Sequence, residues 1–352
     1  MSEISYKSHG SVQKKITVEE AVGTVLAHDI TEIRAGEFKG PAFKKGHIIR
    51  KEDVSYLQRL GKEHLFVLEI ADDEMHEDDA AYALVNALMG EGVEIKGEPK
   101  EGRINIIAGT DGLLKVNKDA LHAFNMTGDV VCATLHSNTV VKKGQTVAGT
   151  KSIPLIVKKD IVLAAVKIGE SAGKIIRVKE IRKPKAGVVI TGNEVYYGKI
   201  KDAFSPIIKK KIEALGGEII GTYFAPDDEA FIEARLRELI NAGADLLVTT
   251  GGMSVDPDDV TRFAIKNLGA EDISYGSAVL PGAMFLVAYL GDIPVLGIPA
   301  CGMYAKTTIF DLILPRVLAG EKVGRKELAE LGHGGLCMKC ETCDYPVCPF
   351  GK

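Results

Sequence analysis

The order of apolar and polar positions in the second half of the chain predicts strands that alternate with helices. Short apolar runs are separated by amphipathic stretches of helical length. The predicted order is strand 187–190, helix 205–215, strand 218–224, helix 229–242, strand 245–250, helix 259–267, strands 284–290 and 294–298, and helix 304–318. This alternation favours a mainly parallel sheet covered by helices on both faces. We therefore predict a three-layer α/β/α domain over residues 185–322.

The first half is predicted to form smaller β-rich domains, because its apolar runs are short and are divided by Gly-containing turns. We place one β-rich module at residues 1–70 and a β-rich or α+β region at residues 71–184. The predicted elements are helices 51–60 and 80–89, strands 65–68, 105–108, 129–134 and 160–163, and a hairpin over 139–147.

The composition and charge of the chain argue against some classes of binding partner. The chain has 352 residues, a formal charge of −4, 6% aromatic residues and no Trp, which argues against a nucleic-acid partner. The polar start has no signal-peptide core, and prolines and glycines divide the apolar stretch 278–309 into pieces too short to span a bilayer. We therefore expect a cytoplasmic protein that is not embedded in a membrane.

Four loops that follow predicted parallel strands carry the unusual polar residues of the domain. Ligands bind beyond this edge in open parallel sheets, so four such loops favour one binding site. The loops are Thr191-Gly192-Asn193-Glu194, Ala225-Pro226-Asp227-Asp228, Thr249 to Asp259, and Pro299-Ala300-Cys301-Gly302.

The third loop is the most informative. Its sequence is Thr249-Thr250-Gly251-Gly252-Met253-Ser254, followed by three carboxylates before Thr261. Glycine amides can approach phosphate oxygens closely, and carboxylates beside a phosphate need a bridging cation such as Mg²⁺. The alternative is an ordinary strand–turn–helix connection with an Asp cap. Caps are also the preferred interpretation of Asp228 and of Ser205.

Familiar phosphate motifs do not fit. Gly169 to Ile175 is one residue short of a P-loop, and no G-x-G-x-x-G follows a predicted strand. A nucleoside triphosphatase and a dinucleotide-dependent dehydrogenase are therefore disfavoured.

The residues of the second half resemble a known family. The domain 186–320 is similar to the molybdopterin-binding domain of molybdopterin adenylyltransferases and molybdopterin molybdenumtransferases. The resemblance rests on the Thr-Thr-Gly-Gly segment with Asp259-Val260-Thr261 after it, on Pro226-Asp227-Asp228, on Thr191 to Glu194, on Pro281-Gly282 and on Gly297-Ile298-Pro299. The preceding β-rich region of about 180 residues resembles the molybdenumtransferase arrangement.

The resemblance implies a role for each matching residue. Asp227 and Asp259 would hold Mg²⁺ and, with Glu194, form the catalytic set. Molybdopterin or adenylated molybdopterin would be the substrate together with molybdate, and AMP would be released. Substrate contacts are implied for Thr191, Gly192, Asn193, Thr249, Thr250, Gly251, Gly252, Ser254, Thr261, Pro281, Gly282, Pro299 and Cys301.

Several positions depart from the family pattern. Asn193 stands where the family carries Asp, Ala283-Met284 replaces Lys-Pro, and Ala300-Cys301-Gly302 replaces Gly-Asn-Pro. These departures favour an alternative: a non-catalytic molybdopterin carrier or sensor. A pyrophosphatase acting on a nicotinamide-related nucleotide is a third possibility. The expected assembly is a homodimer, with a client molybdoenzyme as a further partner.

The tail, residues 323–352, carries a separate signal. Cys337, Cys340, Cys343 and Cys348 have the spacing C-x2-C-x2-C-x4-C-P, one residue longer than a ferredoxin motif. Clustered cysteines in a chain without a secretion signal indicate metal binding. A [4Fe–4S] cluster, a structural zinc ion and an unligated redox-active tail remain the three alternatives.

Overall fold

Contacts between backbone positions divide the chain into two units. The computed structural model describes residues 14–34, 38–253 and 260–352. The first unit comprises the described residues up to 107 together with 116–134 and 145–177, and the second comprises 108–115, 135–144 and the described residues from 178 to 352.

Short strands and helices alternate through residue 180. In chain order they are β1 Lys14–Thr17, β2 Val25–Leu26, β3 Ile30–Arg34, β4 Phe38–Phe43, a 3-10 turn Lys51–Asp53, α1 Val54–Arg59, β5 His64–Leu68, β6 Glu74–His76, α2 Glu77–Leu88, β7 Val93–Lys100, β8 Arg103–Ala108, β9 Gly112–Val116, α3 Lys118–Asn125, β10 Val130–Thr134, β11 Val140–Val141, β12 Thr146–Ser152, β13 Ile156–Lys158, α4 Lys159–Ser171 and β14 Ile176–Glu180.

The rest of the chain forms the larger domain. Its elements are β15 Lys185–Thr191, α5 Asn193–Tyr196, α6 Phe204–Glu213, β16 Glu218–Ala225, α7 Glu229–Asn241, β17 Leu246–Thr250, α8 Thr261–Asn267, β18 Glu271–Tyr275, β19 Leu286–Leu290, β20 Ile293–Ile298, a 3-10 turn Ala300–Met303, α9 Ile309–Leu318 and α10 Arg325–Glu330.

A six-stranded sheet organises this domain and confirms the predicted architecture. Its order is β16-β15-β17-β20-β19-β18. The first four strands run parallel to one another, and β19 and β18 add antiparallel strands at one side. All five residues of β17 are buried, as expected for a central parallel strand covered on both faces.

Two apolar layers pack on opposite faces of the sheet. Val188 and Val248 pack in a cluster with helices α6 and α9, and Val189 and Leu247 pack in another with helices α7 and α8. The chain leaves β15 toward α6 on one face and leaves β17 toward α8 on the other. A crevice opens where neighbouring parallel strands diverge in this way, at their carboxyl ends. The fold thus marks the ends of β15 and β17 as the place for a ligand.

The first unit contains small antiparallel sheets and few helices, as predicted. Strand β5 pairs with β1 and β2, and β12 pairs with β10 and β8. Helix α1 and strand β5 confirm the predicted elements 51–60 and 65–68. A separate core of buried side chains, including Leu26, Phe43, Leu57 and Val67, supports this region.

The predicted strand 160–163 is wrong, because these residues lie in helix α4. Val162, Ala165 and Gly169 are its buried positions, which is the spacing of one helix face. Close packing of two helices explains the glycine: a Cβ on Gly169 would lie 2.5 Å from the carbonyl oxygen of Ala87 in α2.

The predicted hairpin 139–147 is also wrong. Strand β11 pairs with β9, whereas β12 pairs with β10 and β8 in another sheet. The intervening turn is held by a different loop, since the Lys143 N–H donates to Asp111 (2.8 Å) and the Gly144 N–H to the Ala108 carbonyl (2.7 Å).

Two helix starts differ from the prediction. Ser205 lies inside α6, and the carboxylate of Asp202 accepts the N–H groups of Phe204 (2.8 Å) and Ser205 instead. Helix α9 begins at Ile309 rather than at residue 304, because Thr308 and Asp311 form a capping box there. The pattern had not predicted β18 or α10. No described helix is long and apolar enough to cross a membrane.

A buried ionic cluster stabilises the second unit. Arg316 is 5% exposed and its Nε donates to Glu321 at 3.1 Å, while the Lys115 Nζ lies 2.8 Å from the same carboxylate. Burial alone would raise the pKa of Glu321, but hydrogen bonds and charges from Arg316 and Lys115 outweigh it and lower this pKa to about 2.

We predict that Glu321→Gln lowers the free energy of unfolding at neutral pH by on the order of 3 kcal/mol. The pKa in the folded state is below its ordinary value of 4.5, so the ionised carboxylate stabilises the fold above about pH 4.5. That contribution is lost as the pH falls toward 2. Denaturant titrations at several pH values should show the difference between the two proteins shrinking below pH 4.5. The exposed Glu330→Gln serves as the control, and a difference independent of pH would contradict the prediction.

Candidate functional site

A cavity of about 720 Å³ lies at the carboxyl ends of β15, β17 and β20, where the fold predicts a ligand. This volume is within the range of small-molecule binding sites. The residues that line it are Glu194, Gly251, Gly252, Met253, Leu280, Pro281, Gly282, Ala283, Met284, Pro299, Ala300, Cys301, Leu336 and Lys339.

The cavity brings together seven of the residues proposed from the sequence. They are Glu194, Gly251, Gly252, Pro281, Gly282, Pro299 and Cys301. They come from the ends of three strands, β15, β17 and β20, and from the segment before β19, so loops that lie far apart in the sequence converge at one cavity. Ser254 and Asp259 lie outside the described residues.

A chain of buried hydroxyls joins the strand ends beneath this cavity. The Thr191 Oγ1 donates to the carbonyl of Thr250 (2.6 Å) and lies 3.1 Å from the Thr261 Oγ1. Thr191 is 4% exposed and Thr261 is fully buried. In this structure these two hydroxyls hold β15, β17 and α8 together, and the substrate contacts implied for Thr191 and Thr261 stay predictions.

Gly251 and Gly252 permit the close approach of these elements. Both have positive φ values, 76° and 55°. A Cβ on Gly251 would lie 2.5 Å from the Thr191 carbonyl oxygen, and one on Gly252 would overlap the Thr261 hydroxyl. The packing beneath the loop thus requires glycine at both positions, and the same residues present bare backbone to the cavity.

The hydroxyls of Thr249 and Thr250 are fully buried and have no hydrogen-bond partner within the part of the chain that the structure describes. A buried unsatisfied hydroxyl costs about 1–3 kcal/mol. Polar groups retained at such a cost are common at functional sites. Neither residue is among those that line the cavity.

Asp227 is tied to the loop that follows β15. The Asn193 N–H donates to its carboxylate (3.0 Å), and the Asp227 N–H lies 3.4 Å from the amide oxygen of Asn193. Because Asn193 is neutral, it pairs with Asp227 without the repulsion that a second carboxylate would bring. Asp228 is an N-cap, as predicted: it accepts the Phe231 N–H at 2.7 Å.

The Pro-Gly segment is fixed against the start of α9. The Pro281 carbonyl accepts the N–H of Ile309 (3.3 Å), and the Ser277 hydroxyl donates to the Gly282 carbonyl (3.0 Å). A Cβ on Gly282, whose φ is 130°, would overlap the Ile309 side chain. The segment therefore forms a well-supported wall of the cavity.

Lys339 is a site residue that the sequence analysis missed. It lies in the tail, far from Gly251-Gly252 in the sequence, yet it lines the same cavity as those two residues. Glu194 and Lys339 are the charged residues among those described as lining the cavity. Nothing in its local sequence indicates this position.

The tail cysteines lie around a second cavity of about 450 Å³, which Cys337, Cys340, Cys343 and Cys348 all line. Pro281, Cys301 and Lys339 line both cavities. Burial raises the pKa of the Cys301 thiol, so this group is protonated at neutral pH. Among the described residues, no group of three or more His, Cys, Asp or Glu side chains is placed to hold a single metal ion.

Comparisons with known proteins identify two regions. Residues 187–319 match the family described as "Probable molybdopterin binding domain". Residues 15–69 match a "Domain of unknown function (DUF8806)".

The curated relatives share only part of the chain. A CinA-like protein of Mycobacterium tuberculosis is 42% identical over 93 residues, which are 25% of this chain and 22% of that protein. A CinA-like protein of Mycobacterium avium is 42% identical over 77 residues. The chain therefore spans about a fifth of the length of the curated relatives that it matches.

Three solved structures are similar at lower identity. The MoaB molybdopterin biosynthesis enzyme of Thermus thermophilus is 20% identical and covers 39% of this chain and 98% of its own, with a TM-score of 0.34. CinA of Thermoplasma acidophilum is 18% identical and covers 34% of this chain and 90% of its own, with a TM-score of 0.32. The molybdopterin biosynthesis MoeA protein of Pyrococcus horikoshii is 18% identical and covers 88% of this chain and 75% of its own, with a TM-score of 0.32.

We predict that Thr191→Val lowers the free energy of unfolding by about 1–3 kcal/mol, because it leaves the buried Thr250 carbonyl and the Thr261 hydroxyl without their partner. Valine keeps the shape of threonine, so packing changes little. Thr222→Val, at an exposed position of β16, is the control. Denaturant titration of both variants measures the difference, and equal stability of the two would show that the hydroxyl chain contributes nothing.

Proposed function

We propose, on the premise that residues 187–319 are a member of the family described as "Probable molybdopterin binding domain", that this chain binds molybdopterin or its adenylated form and acts in molybdenum-cofactor biosynthesis. The observation that carries the proposal is the cavity at the carboxyl ends of β15, β17 and β20. It gathers the Gly251-Gly252 loop, the Pro281-Gly282 segment and the Pro299–Cys301 loop around Glu194.

The cavity offers separate surfaces for the two chemical parts of the ligand. The backbone of Gly251 and Gly252 and the ammonium of Lys339 suit phosphate oxygens, since both can donate hydrogen bonds to an anion. Met253, Met284 and Leu280 provide apolar contacts for a planar ring. The ligand would therefore lie with its phosphate toward the glycine loop and its pterin along the methionines.

The reaction that we propose is molybdate insertion coupled to cleavage of the phosphoanhydride in adenylated molybdopterin, with AMP released. Asp227 and Asp259 would hold Mg²⁺, which offsets the negative charge that develops on the phosphate oxygens as this bond breaks. The hydrogen bonds between Asn193 and Asp227 fix the carboxylate relative to the loop that carries Glu194. Glu194, which lines the cavity, would orient the group that attacks the phosphoanhydride.

A non-catalytic carrier or sensor is the second candidate, and the neutral Asn193 favours it. A site with one carboxylate fewer than the family pattern binds a cation less strongly. Such a protein would hold molybdopterin for a client molybdoenzyme. Tyr304, Leu336 and Met338 are 84%, 71% and 73% exposed and would serve as the docking surface for that client. The homodimer expected from the resemblance stays a prediction.

We predict that Asp227→Asn lowers AMP release from adenylated molybdopterin by roughly 100-fold, as expected when one stabiliser of transition-state charge is removed. The assay contains molybdate and Mg²⁺ and follows AMP by chromatography. Asp228→Asn is the matched control, because asparagine also caps helices and leaves the cavity unchanged. An equal loss of AMP release in both variants would mean that the effect comes from a change in helix α7 and not from loss of the Asp227 carboxylate. Tight pterin binding by the wild type without AMP release would favour the carrier.

We predict that Lys339→Ala weakens binding of molybdopterin by roughly 10- to 100-fold, the contribution of one charge-assisted hydrogen bond to phosphate. Lys306→Ala is the control, since Lys306 lines the cysteine cavity and is not among the residues that line the pterin cavity. Isothermal titration with molybdopterin at two ionic strengths measures both variants. Unchanged affinity in Lys339→Ala would remove this residue from the phosphate site.

A further inference from the structure

The cysteine tail is an integral part of the second unit. The Cys337 N–H donates to the Leu280 carbonyl and the Leu280 N–H donates to the Gly335 carbonyl, both at 2.8 Å. At the other end, Phe350 is 4% exposed and packs in the core beneath α9. The Tyr345 hydroxyl donates to the Asp311 carbonyl (3.2 Å). The segment that carries the four thiols is thus fixed at both ends.

The tail's path gathers all four thiols around one cavity. Cys337, Cys340, Cys343 and Cys348 line it together with apolar groups such as Pro349 and Phe350. A cavity of about 450 Å³ is much larger than a single ion needs. Cys340 and Cys343 are exposed and Cys337 and Cys348 are half-buried, so a ligand can enter from solvent.

Hydrogen-bonding groups lie close to two of the sulfurs. The Lys339 N–H lies 3.5 Å from the Cys337 Sγ, and the Thr307 hydroxyl lies 3.3 Å from the Cys343 Sγ. Lys339 has a φ of 53°, a conformation that L-residues adopt only at a cost, and this turn brings its amide toward the sulfur. Donors of this kind stabilise ligating thiolates and tune iron–sulfur centres.

The size of the cavity that the four cysteines line, about 450 Å³, favours a cluster over a single ion. Tetrahedral zinc with bonds of about 2.3 Å needs sulfurs about 3.8 Å apart. A cubane cluster has its thiolates on four outer corners and therefore accepts them at wider spacing around a larger cavity.

We propose that Cys337, Cys340, Cys343 and Cys348 bind a [4Fe–4S] cluster in this cavity. The four thiolates supply one ligand to each iron, and the spacing C-x2-C-x2-C-x4-C-P differs from the ferredoxin pattern by one residue. Cys301 lines the cavity from the domain side but is not one of the ligands.

The proposed cluster would adjoin the pterin cavity, because Pro281, Cys301 and Lys339 line both. Lys339 lies between two of the ligands, so ligation of Cys337 and Cys340 fixes the loop that carries its ammonium. Loss of the cluster should therefore weaken phosphate binding at the neighbouring site. This consequence rests on the proposed function, whereas the cluster itself does not.

The test is an iron, zinc and acid-labile sulfide analysis of the full chain, purified and reconstituted without oxygen. We expect about four irons and about four sulfides per chain, and a broad visible absorption that bleaches on reduction with dithionite. Cys340→Ser, at an exposed position, should lose most of this iron while circular dichroism and the Tm stay close to wild type. Cys132→Ser, a buried position of the first unit, controls for removal of a thiol and should retain it.

Three outcomes would overturn the cluster: about one zinc per chain without sulfide, neither metal, or iron that persists in Cys340→Ser. Loss of iron in Cys301→Ser with retention in Cys348→Ser would overturn the ligand set. Asp227→Asn and Lys339→Ala should keep wild-type iron content. Failure of the pterin site therefore leaves the iron content unchanged, whereas failure of the cluster is identified by the metal analysis.

Discussion

The hydrogen bond from the Thr191 hydroxyl to the Thr250 carbonyl is the contact on which the site depends. It joins two adjacent parallel strands, β15 and β17, at their carboxyl ends. From there the chain continues to α6 on one face of the sheet after β15, and to α8 on the other face after β17. Glycine has to follow Thr250 because a side chain would collide with Thr191. Glycine is therefore required here both by the packing and by the exposed backbone that would bind a phosphate. For this reason the residues that end the strand also form the ligand loop.

The main sheet could be predicted from the sequence because its central strands are buried on both faces and read as continuous apolar runs. The error at residues 160–163 has a physical cause. The apolar run 161–166 fits a short strand and a helix equally well, and only the buried positions Val162, Ala165 and Gly169 reveal the helical spacing. The segment 139–147 shows the other limit, since its pairing depends on Asp111, which lies about 30 residues earlier.

The site could be predicted only in part. The rule that ligands bind at the carboxyl edge of a parallel sheet predicts that Glu194, Gly251 and Pro299 lie close together, and all three line one cavity. It could not show which hydroxyls face inward, because Thr261 is buried by a partner 70 residues away. Lys339 was missed for the same reason. Its position depends on the tertiary packing of the tail, which the local sequence does not indicate.

Phe350 and the bridge between Leu280 and Leu336 give the last residues a second importance. A shortened chain that ended before residue 335 would lack more than its thiols. It would also open one side of the cavity beside Pro281 and expose apolar surface beneath α9. The tail and the domain surface that it covers therefore form one packed unit, so a change in the tail also changes a wall of the cavity.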